Sequence, residues 1–112
     1  MTGLKGKKAL ITGASSGFGA DFADILAKKG MDLIITARRE DKLNALKEKI
    51  IEKYGVKVRV IVMDLTGFDA AEQLYEKVKD ENIDMLINNA GYGMYEYFER
   101  QDAAAQIGRA HV

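Results

Sequence analysis

The stretch Lys8-Ala9-Leu10-Ile11-Thr12-Gly13-Ala14-Ser15-Ser16-Gly17-Phe18-Gly19 decides how this chain folds. Its first five residues form an apolar run of strand length, and glycines at 13, 17 and 19 then break it. From Phe18 onward the apolar residues Phe18, Phe22, Ile25 and Leu26 recur at helical spacing. This places all four on the inward face of a helix over residues 18–29. Lys28, Lys29 and Gly30 suit its C-terminus, with cations against the helix dipole and a residue tolerant of positive φ.

The same alternation continues outward. Leu33-Ile34-Ile35-Thr36 is apolar on consecutive residues, the pattern of a strand covered on both faces. A helix is predicted over Glu40–Tyr54, with Leu43, Leu46, Ile50 and Tyr54 on one stripe and Gly55 as its stop. Residues 56–63 read as a third strand. Val56, Val58 and Val60 alternate there with Lys57 and Arg59, as on a sheet edge with one wet face, before Val60-Ile61-Val62-Met63 turns fully apolar. Thr66-Gly67-Phe68-Asp69 has the spacing of a capping box that opens a helix through Leu74 and Val78. Residues 83–88 form a fourth strand, stopped by Asn88-Asn89-Ala90-Gly91. Strands alternating with helices in this way predict an α/β fold with right-handed crossovers. The expected architecture is a Rossmann-like doubly wound parallel sheet, N-terminal part only: about four strands in the order 3-2-1-4 with three to four helices.

Composition narrows the function classes. With 112 residues the chain is one small domain with a modest core. Seventeen cations balance seventeen anions, so charge gives no reason to expect a nucleic acid or membrane partner. The absence of cysteine removes disulfides, thiolate metal sites and a cysteine nucleophile. No apolar run of signal-peptide or membrane-spanning length occurs, and the expected location is cytoplasmic.

The last six residues look foreign. Ile107-Gly108-Arg109-Ala110-His111-Val112 is what ATC-GGA-AGA-GCA-CAC-GTC encodes, a string resembling read-through of a common sequencing adapter whose next triplet, TGA, is a stop. The expectation is therefore a partial dinucleotide-binding domain over residues 1–106 and a non-native tail over 107–112.

The loop over residues 12–19 sits between a strand and a helix, where a dinucleotide pyrophosphate meets free N–H groups at a helix N-terminus. Gly13 permits the tight turn, Gly17 lets backbone approach phosphate, and Gly19 allows the helix to pack close to the sheet. Ser15 and Ser16 add hydroxyl donors; Ala14 and Phe18 complete the set of loop contacts. At the end of the second strand, Thr36-Ala37-Arg38-Arg39 offers no carboxylate for a 2′-hydroxyl and two guanidiniums for a 2′-phosphate. Arg38 is the first choice for that phosphate and Arg39 the second, able to stack on adenine. The cofactor expected on these grounds is NADP(H).

Thr-Gly-x-x-x-Gly-x-Gly at 12–19, Asp64-Leu65 after the third strand and Asn88-Asn89-Ala90-Gly91 after the fourth together resemble the short-chain dehydrogenase/reductase family, over about residues 7–98. The resemblance implies that Asp64 holds the adenine amino group and Leu65 lines the adenine pocket. It implies that Asn89, Ala90 and Gly91 line the ribose and diphosphate side, and that Asn88 braces the central strands. It further implies an oxidoreductase acting on a small-molecule carbonyl/alcohol pair, and a homo-oligomeric parent.

The family's catalytic Tyr-x-x-x-Lys, serine and assisting asparagine follow the Asn-Asn-Ala-Gly motif. Four positions after Tyr54, Tyr75, Tyr92, Tyr95 and Tyr97 stand Val58, Lys79, Glu96, Glu99 and Gln101. The single match, Tyr75 with Lys79, precedes Asn88 and reads as a helix surface pattern, so no catalytic residue is assigned and no turnover is expected of this chain. Tyr92, Met94, Tyr95, Tyr97 and Phe98 form an aromatic cluster better suited to core or dimer packing than to stacking on a ligand. His111 supports neither a metal site nor a triad. Met85, Leu86 and Ile87 are expected at an unpaired apolar edge. A non-enzymatic NADP(H) sensor and a flavodoxin-like module are the alternatives: a downstream Tyr-x-x-x-Lys separates the first from the enzyme, and FMN titration tests the second.

Overall fold

The computed structural model describes residues 3–90, 93–103 and 110–111. The chain runs β1 (Lys8–Thr12), α1 (Gly17–Lys28), β2 (Asp32–Ala37), α2 (Glu40–Tyr54), β3 (Val58–Val62), α3 (Ala70–Val78), β4 (Met85–Asn88), α4 (Met94–Ala103) and β5 (Ala110–His111). All strand pairs are parallel, in the order β3-β2-β1-β4-β5. The doubly wound sheet and its 3-2-1-4 order are as expected.

Each central strand serves two cores. Ala9, Ile11, Leu33 and Ile35 turn toward α1 and α2, where they meet Ala23, Leu26, Leu43 and Ile50. Leu10, Ile34, Ile61 and Leu86 turn the other way, toward Leu74 and Val78 of α3 and Met94 and Phe98 of α4. This explains the uninterrupted apolar run of β2, since side chains of period two must bury on both faces. Gly30 (φ +90°) and Gly55 (φ +71°) follow α1 and α2 in the left-handed region.

Four details differ from the expectation. The inward face of α1 is Gly19, Ala23, Leu26 and Ala27, whereas Phe18 is 68% and Ile25 50% exposed. Small residues win that face because helix and sheet approach closely, which large side chains would prevent. The apolar end of β3 is not covered on both faces: Val62 is 44% exposed, since β3 is an edge strand. No capping box opens α3. Asp69, not Thr66, is the N-cap residue; its carboxylate accepts from Gln73 Nε2, and the Thr66 hydroxyl donates to Asp64. Finally, the outer edge of β4 is covered in part, with Ala110 and His111 in register with Met85 and Leu86. That pairing uses backbone groups alone, so it bears on the edge and not on where residues 107–112 come from.

At the opposite end from the glycine loop, two aspartates tie strand starts together. Asp32 accepts the Lys57 N–H at 3.0 Å, and Asp84 accepts the Lys8 N–H at 2.9 Å. Glu81 joins β1 to β3 through Lys8 (2.9 Å) and Arg59.

Candidate functional site

The C-terminal ends of β1, β2 and β4 converge on the turn that enters α1, the place where open parallel sheets bind ligands. Gly13 adopts φ +68°, and a Cβ there would stand 3.0 Å from Asn89 Cβ and 3.1 Å from its carbonyl oxygen. Gly19 is packed more tightly: a Cβ would lie 2.7 Å from both Ala14 Cα and Gly13 O. Gly17 is the reverse case, with nothing within 4 Å of a Cβ. The three glycines thus serve a turn, an open approach and a close packing contact.

Ser16 caps α1. Its Oγ accepts from Gly19 N at 3.3 Å and donates to Gly13 O at 2.9 Å, so its hydroxyl closes the loop on itself instead of facing outward as a phosphate donor. Ala14 is fully buried and its N–H donates to Thr36 O at 3.2 Å, fastening the loop to β2. Ser15 is half-buried. The first-turn N–H groups of Gly17 and Phe18 have no hydrogen-bond partner among the described residues, which leaves them to an anion.

Thr12 locks the loop to β4. Its hydroxyl donates to Asn88 Oδ1 at 2.8 Å and accepts the Asn89 N–H at 2.9 Å, while Asn88 Oδ1 also accepts the Ala90 N–H at 3.1 Å. The bracing of the central strands therefore runs through a buried threonine. Sequence reasoning read that residue as the end of β1 and the first position of the loop motif, and gave it no part in the bracing. Thr36, in register with Thr12 on β2, is also fully buried, yet its Oγ1 has no hydrogen-bond partner among the described residues.

At the end of β2 the two arginines diverge. Arg39 precedes α2 and pairs with Asp41 at 3.3 Å. Arg38 is exposed and has no ion pair among the described residues. Asp64 is exposed, and the Thr66 hydroxyl (2.6 Å) and N–H (2.9 Å) both donate to its Oδ1. Those two bonds, with a smaller contribution from the charge of Arg38, hold the Asp64 carboxyl below its ordinary pKa. Leu65 is half-buried beside the α3/α4 core. Loop, arginines, Asp64-Leu65 and Asn89-Ala90 thus lie along the strand ends; Gly91 and Tyr92 fall outside the described residues.

The family model for short chain dehydrogenases matches residues 7–110. The chain belongs to the short-chain dehydrogenase family. This short-chain dehydrogenase is 38% identical over 94 residues to the very-long-chain 3-oxoacyl-CoA reductase of Bos taurus, a match covering 84% of this chain and 30% of the reductase. Its fold superposes with TM-score 0.73 on L-sorbose reductase from Gluconobacter frateurii, complexed with NADPH and L-sorbose, at 36% identity over 82% of this chain and 36% of that one. A short-chain dehydrogenase from Sphingobium yanoikuyae in complex with NADPH gives TM-score 0.70 and 40% identity, covering 76% of this chain and 34% of its own. The chain thus spans about a third of the length of these relatives.

Aromatic residues of α3 and α4 pack against one another. Tyr75 is half-buried and packs edge-on against Tyr97 (5.8 Å) and Phe98 (5.2 Å), and Lys79 pairs with Glu76 at 2.9 Å. Met94 and Phe98 are core residues and Tyr97 lies against that core, while Tyr95 is exposed. Its hydrogen bond with Glu99 raises the Tyr95 pKa, and burial, followed by the charges of Glu72 and Glu76, raises that of Tyr97. Neither shift is toward the ionisable tyrosine that proton transfer near neutral pH requires.

Proposed function

We propose that this chain is the cofactor-binding portion of an NADP(H)-dependent short-chain oxidoreductase. The observation that carries the reading is the pairing of an open helix N-terminus at Gly17-Phe18 with Arg38, which has no ion pair among the described residues, at the end of β2, where residues 36–39 include no carboxylate. The site fits the group: an N–H pair without partners and a glycine with empty space above it are what a diphosphate needs. Gly13, Ala14, Ser15, Gly17 and Phe18 would hold the diphosphate, with Ser16 and Gly19 holding the loop in shape. Arg38 would hold the 2′-phosphate with Arg39 beside it, Asp64 and Leu65 the adenine, and Asn89, Ala90 and Gly91 the ribose side. The nicotinamide, when bound, supplies the hydride acceptor or donor.

The parent protein, on this reading, reduces a small carbonyl compound or oxidises the matching alcohol, and it assembles as a homo-oligomer. The 112 residues themselves bind cofactor without turnover, because no Tyr-x-x-x-Lys follows Asn88-Asn89-Ala90-Gly91 in them. Residues 107–112 we take as a non-native tail, and finding their codons in the genomic source DNA would refute that.

Titration of the chain with NADPH, NADH and FMN tests the cofactor reading. NADPH is expected to bind tightest, and Arg38→Gln to weaken NADPH selectively. Tightest binding of FMN, or a preference for NADH, would overturn it.

A further inference from the structure

The second guanidinium at the phosphate end is already engaged. Arg39 Nε donates to Asp41 Oδ1 at 3.4 Å and Nη2 donates to Asp41 Oδ2 at 3.3 Å. This two-point contact is the one a phosphate makes with the same planar fork. Both side chains are exposed, 56% and 71%, so the pair sits in solvent and can exchange partners. Asp41 also lies in the first turn of α2 beside Glu40, where the helix dipole favours an anion. The Arg39 contact, its largest influence, keeps the carboxyl below its ordinary pKa, so it is charged at neutral pH.

We propose that Asp41 sets the selectivity of this chain between 2′-phosphorylated and unphosphorylated adenosine dinucleotides by competing with the 2′-phosphate for Arg39. The inference rests on the NADP(H) reading above. A phosphate docked on Arg38 gains the Nε/Nη2 edge of Arg39 only by drawing it off Asp41, and it meets the negative charge of Asp41 as it does so. A 2′-hydroxyl is too weak an acceptor to compete for that fork. Neutralising Asp41 therefore removes a competitor and a repulsion that only the phosphorylated ligand experiences.

The test is calorimetric titration of the full chain with NADPH and NADH, and with the probes 2′,5′-ADP and 5′-ADP, in wild type, Asp41→Asn and Asp41→Ser. Both variants are expected to tighten NADPH and 2′,5′-ADP by about two- to fivefold, the scale of an exposed ion pair. NADH and 5′-ADP should not respond, and thermal melts should show both variants folded. In an Arg39→Gln background the gain should shrink, because Asp41 then has nothing to withhold and only its charge still acts on the phosphate. Equal tightening of both ligand classes, a gain undiminished in Arg39→Gln, or no gain would overturn the proposal. A wild-type chain that fails to prefer NADPH would instead sink the cofactor reading, and this inference with it; a preference indifferent to Asp41 sinks the inference alone.

Discussion

Thr12 and Asn88, the last residues of β1 and β4, share a hydrogen bond of 2.8 Å, and the same threonine hydroxyl accepts the N–H of Asn89 at 2.9 Å. One buried oxygen thus couples the residue before the glycine loop to the motif on the neighbouring strand. Thr12→Val keeps the shape but orphans the Asn89 N–H and removes one of the donors to Asn88 Oδ1, which keeps the Ala90 N–H. It should cost about 1–3 kcal/mol in denaturant unfolding and weaken cofactor binding. Thr12→Ser should recover most of both, and a Val variant as stable as wild type would contradict the coupling.

The loop glycines should separate by phenotype. Gly17→Ala adds a methyl to open space, so the melting temperature should hold while NADPH binding falls as the methyl occupies the phosphate approach. Gly19→Ala drives a Cβ to 2.7 Å from backbone atoms of Gly13 and Ala14 and should lose stability and binding together. Equal effects of the two substitutions on melting temperature would argue against the assigned roles.

On α1, only part of the apolar stripe read from spacing lies on the core face: Leu26 and Phe22 pack there, while Phe18 and Ile25 are exposed. Leu26→Ala removes a side chain only 6% exposed and should cost about 2–5 kcal/mol in unfolding measurements. Ile25→Ala, at half exposure, should stay within about 0.5 kcal/mol of wild type.

Thr36 carries an unpartnered hydroxyl at zero exposure. Thr36→Val, nearly isosteric, should raise stability by about 1 kcal/mol, read as a shift in denaturant midpoint at constant slope. The Ala14 N–H to Thr36 O bond is main-chain and survives the change.

Stability should fall in acid through Glu81. Its hydrogen bond from Lys8, with help from Arg59, lowers its pKa in the folded state. A group depressed on folding contributes stability that is present above its unfolded pKa, about 4.3, and is lost as pH drops through the lower folded value. Unfolding at a series of pH values should show this loss below about pH 4. Glu81→Gln should flatten that part of the profile and lower stability at neutral pH.

Much of this architecture was legible because periodicity reports burial. The residues of β2 are apolar in succession since each points into one of two cores, and Gly55 marks the end of α2 since only a residue at ease with φ +71° can turn there. Other features were not legible. Phe18 and Ile25 share helical spacing with Leu26, and spacing cannot say which side of a wide apolar arc meets the sheet. Thr66 and Asp69 fit a capping box, yet Asp64 takes the Thr66 hydroxyl through a local turn that competes with it. The apolar run in β3 could not announce that its last valine would lie at a sheet edge.

By itself, the sequence determined the α/β alternation, the glycine-rich loop between β1 and α1 and the two cations at the end of β2, because these are local patterns, while the strand order came with the family resemblance of its motifs. The tertiary structure alone decided which hydroxyls are spent internally and which N–H groups remain for a ligand. Ser16 closes on Gly13, Thr12 bridges to Asn88 and Asn89, and Arg39 folds back on Asp41 while Arg38 stays unpaired. The reason is geometric: a hydrogen bond depends on distances of a few tenths of an ångström between atoms that, like those of Thr12 and Asn88, can be far apart along the chain.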